Sequence, residues 1–275
     1  MVSQLFSIRG INVHVKTWNP NASRTLILLH GFTGSTGTWE ETVSNLPDSI
    51  KGVAIDLIGH GRTDAPGNPD RYGMSEQITD LDHVFNALAL EHFTLLGYSM
   101  GGRIALSYAL RYPERIEKLI LESSSPGLEV ESERKQRVKA DQSLADRIES
   151  EGLEEFVNYW EGIPLFQSQK ALCENKLQDI RKERLSQRTL GLANSLRGIG
   201  TGKQPSNWGR LDTLKFPVLL ITGELDSKFC RIAGEMKKQL PNAESVIVKG
   251  AGHAIHVEKS EQFATIITEH LKEQN

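Results

Sequence analysis

Six short runs rich in apolar residues, 25–29, 51–56, 93–96, 118–122, 218–222 and 243–248, stand out from an otherwise mixed chain. They are of strand length and largely lack the strict alternation of a strand with one wet face, so each reads as a strand covered on both sides. Ahead of them, 5–8 and 13–17 alternate apolar with polar residues around Arg9-Gly10-Ile11-Asn12, the pattern of an antiparallel hairpin at a sheet edge. Between the runs the spacing turns helical. In 75–90, Ile78, Leu81, Val84, Phe85 and Leu88 recur three or four residues apart, and 104–111 and 260–272 read as helices too. Alternation of strand and helix predicts an α/β fold: a mostly parallel sheet with an N-terminal antiparallel hairpin, helices on both faces, and a site at the carboxyl ends of the strands.

The alternation stops at Gly127 and resumes at Phe216. Residues 127–215 are polar and helix-rich without a strand pattern, which predicts a helical lid inserted into a core formed by 1–126 and 216–275. Residues 128–207 carry 13 acidic and 13 basic side chains, so the insertion has no general basic character and an arginine that binds there must be individually aimed. Leu153, Phe156, Val157 and Trp160 share one helical face. Such a stripe is the ordinary signature of a packed core; over a catalytic site it is also the wall that encloses a substrate.

Composition narrows the partners. The net charge of −3 supplies no field for nucleic acid or an anionic membrane surface, so a small molecule is the expected partner. No apolar run approaches the roughly 20 residues that span a bilayer. Residues 1–10 lack a basic segment followed by an apolar one, and the only cysteines are Cys173 and Cys230, so a cytoplasmic location is expected. Neither cysteine has a ligand-spaced partner. With no glycine-rich phosphate fingerprint and no His/Glu metal pair, neither a metal nor another cofactor is expected. The oligomeric state stays open, with a monomer compatible.

The chemistry concentrates at Gly97-Tyr98-Ser99-Met100-Gly101-Gly102-Arg103, which joins the run 93–96 to a helix. A serine between glycines at a strand-to-helix turn is a nucleophile elbow, in which Ser99 stands clear of the sheet and the Met100 N–H can meet a developing oxyanion. A serine needs an imidazole to take its proton and a carboxylate to hold that imidazole. His253, in Gly250-Ala251-Gly252-His253 after the last strand, is the first choice, with His256 in reserve. Asp226 follows the strand 218–222 and completes the order Ser, Asp, His, with Glu224 the weaker competitor. His30-Gly31-Phe32-Thr33-Gly34 follows 25–29 and offers the Phe32 N–H as a second oxyanion donor, while His30 reads as a buried histidine bonded to a loop carbonyl. The segment from Asp56 to Gly61-Arg62 reads as architectural.

Through His30-Gly31, residues 56–61, the elbow and the Asp226/His253 pair, the chain resembles the α/β-hydrolase superfamily over nearly its whole length. More narrowly it resembles the 2-succinyl-6-hydroxy-2,4-cyclohexadiene-1-carboxylate (SHCHC) synthases of menaquinone biosynthesis. That likeness rests on residues 30–34 and 97–103, on Ser125-Pro126-Gly127-Leu128, on Arg184-Leu185-Ser186-Gln187, and on 191–197, Gly200-Thr201-Gly202 and Gln204-Pro205. The resemblance implies a lyase, in which Ser99, activated by His253 and Asp226, acts as base to eliminate pyruvate from 2-succinyl-5-enolpyruvyl-6-hydroxy-3-cyclohexene-1-carboxylate. It also implies oxyanion donors at Phe32 and Met100, carboxylate-binding arginines at Arg103, Arg137 and Arg184, and Trp160 and Tyr98 in the pocket wall. Arginine suits the role because its planar fork meets a carboxylate through two hydrogen bonds. Arg134 and Arg188 are the neighbours that could be mistaken for the lid arginines, and 167–179 matches no motif. Two other readings share these residues: a carboxylesterase or C–C bond hydrolase on the same triad, and a non-catalytic small-molecule receptor on the same fold.

Overall fold

The chain enters through a hairpin tighter than its sequence pattern suggests. In the computed structural model, which describes residues 1–272, strands β1 (Val2–Ile8) and β2 (Ile11–Trp18) are joined by Arg9 and Gly10 alone, with φ of 48° and 84°. Two successive positive φ values suit the right-handed twist of the flanking strands, so Ile11 and Asn12 join the ladder instead of the turn. The strands β3 (Arg24–Leu29), β4 (Ile50–Ile55), β5 (Phe93–Tyr98), β6 (Ile116–Glu122), β7 (Val218–Gly223) and β8 (Ala243–Val248) then complete one eight-stranded sheet in the order β1-β2-β4-β3-β5-β6-β7-β8. β2 pairs antiparallel with β1 and β4; the remaining pairings are parallel. This is the mostly parallel sheet with an antiparallel N-terminal hairpin that the alternation of strand and helix predicts, and it agrees with the fold the resemblance implies.

The two cores explain the apolar runs of the inner strands, whereas β8 is an edge strand in which only Val248 is buried and Ile247 is exposed, so it is not the doubly covered strand its sequence suggests. Along β3, Ile27 and Leu29 face one core while Leu26 and Leu28 face the other, and all four are fully buried. Burial of a Leu or Ile side chain stabilises by about 1.5–3 kcal/mol. The first core is covered by α2 (Met74–Ala87), α3 (Met100–Arg111) and α8 (Ser227–Gln239). The second is covered by α1 (Glu40–Ser44), α9 (Ile255–Glu258) and α10 (Ser260–Leu271). No helix among the described residues is long and apolar enough to cross a membrane.

Between β6 and β7 the described chain forms no strand. It runs through α4 (Glu131–Glu151), α5 (Leu153–Glu161), a 3₁₀ segment Pro164–Ala171, α6 (Glu174–Leu185) and α7 (Thr189–Ile199). Ala145, Ile148, Phe156, Val157, Leu192, Ala193 and Leu196 form a small core of this insertion, and Phe32 and Trp160 pack against it. Phe32 follows β3, so the insertion's apolar underside rests on the loop beside the elbow.

Candidate active site

The elbow depends on glycine at its crowded positions. Ser99 adopts φ 50°, ψ −106°, a strained conformation for a residue with a side chain. A Cβ on Gly97 would lie 2.3 Å from the Gly101 carbonyl oxygen, so the strand and the first turn of α3 can cross only with glycine there. The Ser99 hydroxyl is thus lifted off the end of β5 and donates to His253 Nε2 at 3.0 Å. His253 Nδ1–H donates to Asp226 Oδ2 at 2.7 Å. A carboxylate only accepts, so this bond assigns the proton to Nδ1 and leaves Nε2 free to take one from serine. Asp226 is itself fixed by capping α8, its Oδ1 accepting the Phe229 N–H at 3.2 Å. His253 is 1% exposed, and the Phe229, Tyr98 and Phe166 rings lie 4.7, 5.4 and 6.2 Å from its own. Water therefore has little access to the His253–Asp226 link.

The alternative residues fall elsewhere. His256 and Glu122 form a wholly buried pair, with His256 Nδ1 2.8 Å from Glu122 Oε2 and the His256 backbone N–H donating to Glu122 Oε1 at 3.0 Å. The pair ties the loop that carries His253 to the end of β6. Glu224 accepts the Gly250 N–H at 3.0 Å and does not touch His253. His30 donates from Nδ1 to the Gly31 carbonyl at 2.7 Å and accepts the Leu57 N–H at Nε2, which fixes it as a neutral tautomer.

Burial pushes His30 below its ordinary pKa, with Asp56 partly opposing. His60, with its ring centroid 5.1 Å away, is pushed down to about 3, first by burial and then by His30. Both histidines are shifted below the ordinary 6.5, so as pH falls the unfolded chain takes up these protons first. The stability this contributes is full above pH 6.5 and is lost as pH falls from there, for His60 down toward about 3. The urea midpoint should therefore decline by an amount worth about 1 kcal/mol per pH unit from His60 alone between pH 6 and 5. A midpoint that stays flat across that interval contradicts the assignment.

A cavity of about 530 Å³ opens over Ser99 and His253. Phe32 and Met100 line it, and neither backbone N–H has a hydrogen-bond partner among the described residues. A Cβ added to Gly31 would lie 3.5 Å from Ser99 Cβ, which measures how closely the Phe32 loop approaches the nucleophile. Arg103, one turn into α3, lies on the cavity wall and is 9% exposed. Its Nη1 donates to the Ile199 carbonyl at 2.8 Å and to Gln204 Oε1 at 3.3 Å, and no carboxylate lies within ion-pair distance among the described residues. Burial, aided by the charge of Arg137, lowers its pKa to about 10, with Asp141 opposing, so the guanidinium is still charged at neutral pH. A buried guanidinium facing a cavity, with no ion-pair partner among the described residues, is suited to receiving an anion.

Arg137 also lines the cavity, its Nε bonded to Asp141 Oδ1 at 2.7 Å. Trp160 is on the same wall, and its buried indole N–H has no partner among the described residues. Tyr98 borders both the cavity and an adjoining slot of about 50 Å³; burial, reinforced by Glu122, holds its hydroxyl protonated. Arg184 lies in that slot and not on the main wall. It is bonded to Gln169 at 3.1 Å and paired with Glu161 at 3.4 Å, with its guanidinium 4.8 Å from the Phe166 ring centre. Arg134 turns to the Leu128 and Glu129 carbonyls and Arg188 to the Thr63 carbonyl. Two cations not anticipated from the sequence, Lys228 and Arg231, reach the cavity from α8. The signal was their distance from Asp226: a helix capped by the acid carries its first two turns past the site.

Residues 24–260 match a family model described as the alpha/beta hydrolase fold. The chain is 49% identical over 262 residues to a Bacillus subtilis (strain 168) protein carrying a 2-succinyl-6-hydroxy-2,4-cyclohexadiene-1-carboxylate synthase designation, with 95% of each chain covered. It is 31% identical over 247 residues to the synthase of that name from Enterobacter sp. (strain 638), covering 90% of this chain and 91% of the other. The solved structure of MenH from S. aureus superposes with a TM-score of 0.91 at 39% identity, covering 95% of this chain and 99% of that one.

Proposed function

Since this chain belongs to the α/β-hydrolase fold family and, within it, to the 2-succinyl-6-hydroxy-2,4-cyclohexadiene-1-carboxylate synthases, we propose the following course for its reaction. The enzyme is a carbon–oxygen lyase on a hydrolase scaffold. It converts 2-succinyl-5-enolpyruvyl-6-hydroxy-3-cyclohexene-1-carboxylate into the 2,4-diene and pyruvate. The names of substrate and product dictate the electron flow. The proton on ring carbon 2, acidified by the succinyl ketone, leaves; a C2–C3 double bond forms, the C3–C4 double bond moves to C4–C5, and the C5–oxygen bond breaks. The departing enolpyruvate takes up one proton to become pyruvate.

Ser99 is the base in this reading. Its proton passes to His253 Nε2 across 3.0 Å as its oxygen takes the C2 proton, and Asp226 steadies the imidazolium at 2.7 Å. Charge that builds on the succinyl ketone oxygen meets the Phe32 and Met100 N–H groups. Arg103 holds a substrate carboxylate, with Arg137 beside it on the wall; Trp160 and Tyr98 close the pocket around the ring. Arg184 joins the substrate shell once Phe166 yields. No cofactor takes part, and the two free thiols, Cys173 and Cys230, suit a cytoplasmic setting.

The observation that carries the reading is Arg103: a buried guanidinium without a carboxylate partner beside a triad is what a polyanionic substrate needs and a neutral ester does not. Single-turnover kinetics with deuterium at ring carbon 2 test the base role. We expect a measurably slower reaction than with the protiated substrate; equal rates would remove proton abstraction from the chemical step.

A further inference from the structure

A second Ser–His–Asp relay lies outside the cavity, on the N-terminal hairpin. Ser3 Oγ is 2.8 Å from His14 Nε2, and His14 Nδ1 is 2.7 Å from Asp56 Oδ2. The order of atoms and the spacing match those at Ser99, His253 and Asp226, where the distances are 3.0 and 2.7 Å. Asp56 follows β4, is 1% exposed, and accepts the Thr36 and Arg62 backbone N–H groups at 2.5 and 2.8 Å, so it is held as rigidly as an orienting carboxylate requires. His14, on β2, is 3% exposed, and its Nε2 faces the exposed Ser3 hydroxyl. Ser3, across the ladder on the edge strand β1, is exposed. Arg62 Nη1 donates to Ser3 Oγ at 3.1 Å and lies 3.4 Å from His14 Nε2.

We propose that Ser3 is a second nucleophile, an acyl-accepting site for small activated acyl donors such as aryl esters and acyl phosphates. The Ser3 hydroxyl donates to an imidazole whose other nitrogen is tied to a buried carboxylate, and its oxygen accepts from a guanidinium; both contacts favour loss of its proton. In the step, Ser3 Oγ bonds to the carbonyl carbon while its proton passes to His14 Nε2. The bond from carbonyl carbon to leaving oxygen then breaks, and that oxygen leaves with the proton from His14. No other reactant is consumed. Arg62 supplies positive charge beside the reacting carbonyl, in place of the paired amides that flank Ser99. Exposed on an edge strand, the site accepts an acyl group far more slowly than an elbow serine and retains it.

The test uses the full chain with Ser99→Ala, which removes the elbow nucleophile, treated with p-nitrophenyl acetate and mapped by peptide mass spectrometry. One acetyl group on Ser3 is expected, with its rate of appearance reduced at least tenfold by His14→Gln and several-fold by Arg62→Gln. The same two substitutions in the chain with Ser99 intact should leave elimination activity unchanged, which establishes that the fold survives them. Absence of acetyl-Ser3, or its equal formation with His14→Gln, overturns the proposal.

Discussion

Replacing Ser99 by alanine should lower kcat by about 10²–10⁴-fold, the usual contribution of a positioned acid–base group, while KM moves little. The asymmetry follows from the site. The hydroxyl should add little to ground-state binding, since in the proposed reaction the charges that hold the substrate lie on Arg103 and its neighbours. In the proposed reaction it acts when the C2 proton moves, and its 3.0 Å link to His253 is then the route for its own proton. A substitution that removes an interaction made only in the transition state lowers kcat and kcat/KM together. Steady-state kinetics on Ser99→Ala, with His253→Gln as companion, measure this. The two losses should not add, because either change disables the same relay. Unchanged turnover in the serine variant would sink the assignment of the base.

The second large effect is expected from Arg103→Ala, and it should appear mainly in KM. Arg103 is 9% exposed, bonded only to the Ile199 carbonyl and Gln204, and has no carboxylate among the described residues to neutralise it. A substrate carboxylate that completes this guanidinium makes a desolvated, charge-assisted pair. Removing the cation leaves the anion buried, at a cost of about 2–5 kcal/mol, equivalent to roughly 30- to 4,000-fold in binding. Arg103→Lys should recover part of the loss, since it restores the charge without the fork. Arg197→Gln is the control. That residue is on α7, paired at the surface with Asp146 and Glu149, and its loss should leave KM within twofold. Equal KM values for wild type and Arg103→Ala would take Arg103 out of the site.

Much of this was legible because the chemistry forces the residues. Gly97 and Gly101 frame Ser99 since a side chain at Gly97 would strike the Gly101 carbonyl, so the elbow announces itself in any reading of the chain. The strands read well because apolar side chains occupy both faces, as Leu26 and Ile27 do on opposite sides of β3. Helix α8 was not anticipated: of Ser227–Gln239 only Ala233 and Met236 are buried, too few to impose a period. Lys228 and Arg231 went unnoticed with it. The seat of Arg184 behind Phe166 depends on an irregular 3₁₀ segment, Pro164–Ala171, whose sequence has no repeat to reveal it. The relay at Ser3 joins residues 11 and 42 positions apart through strand pairing, a juxtaposition that no local pattern encodes. What escapes the sequence is therefore tertiary placement of polar side chains on surfaces where hydrophobic period is weak.

One measurement bears directly on the central claim that a hydrolase-type triad here performs an elimination on a polyanion. Purified protein is given enzymatically prepared enolpyruvyl substrate, and pyruvate release is followed together with the ultraviolet absorbance of the conjugated diene, beside a p-nitrophenyl ester control. The account predicts equal rates of pyruvate and diene formation, fast against negligible ester cleavage. Rapid ester hydrolysis without pyruvate or diene would contradict it and return Ser99 to the role of acyl nucleophile.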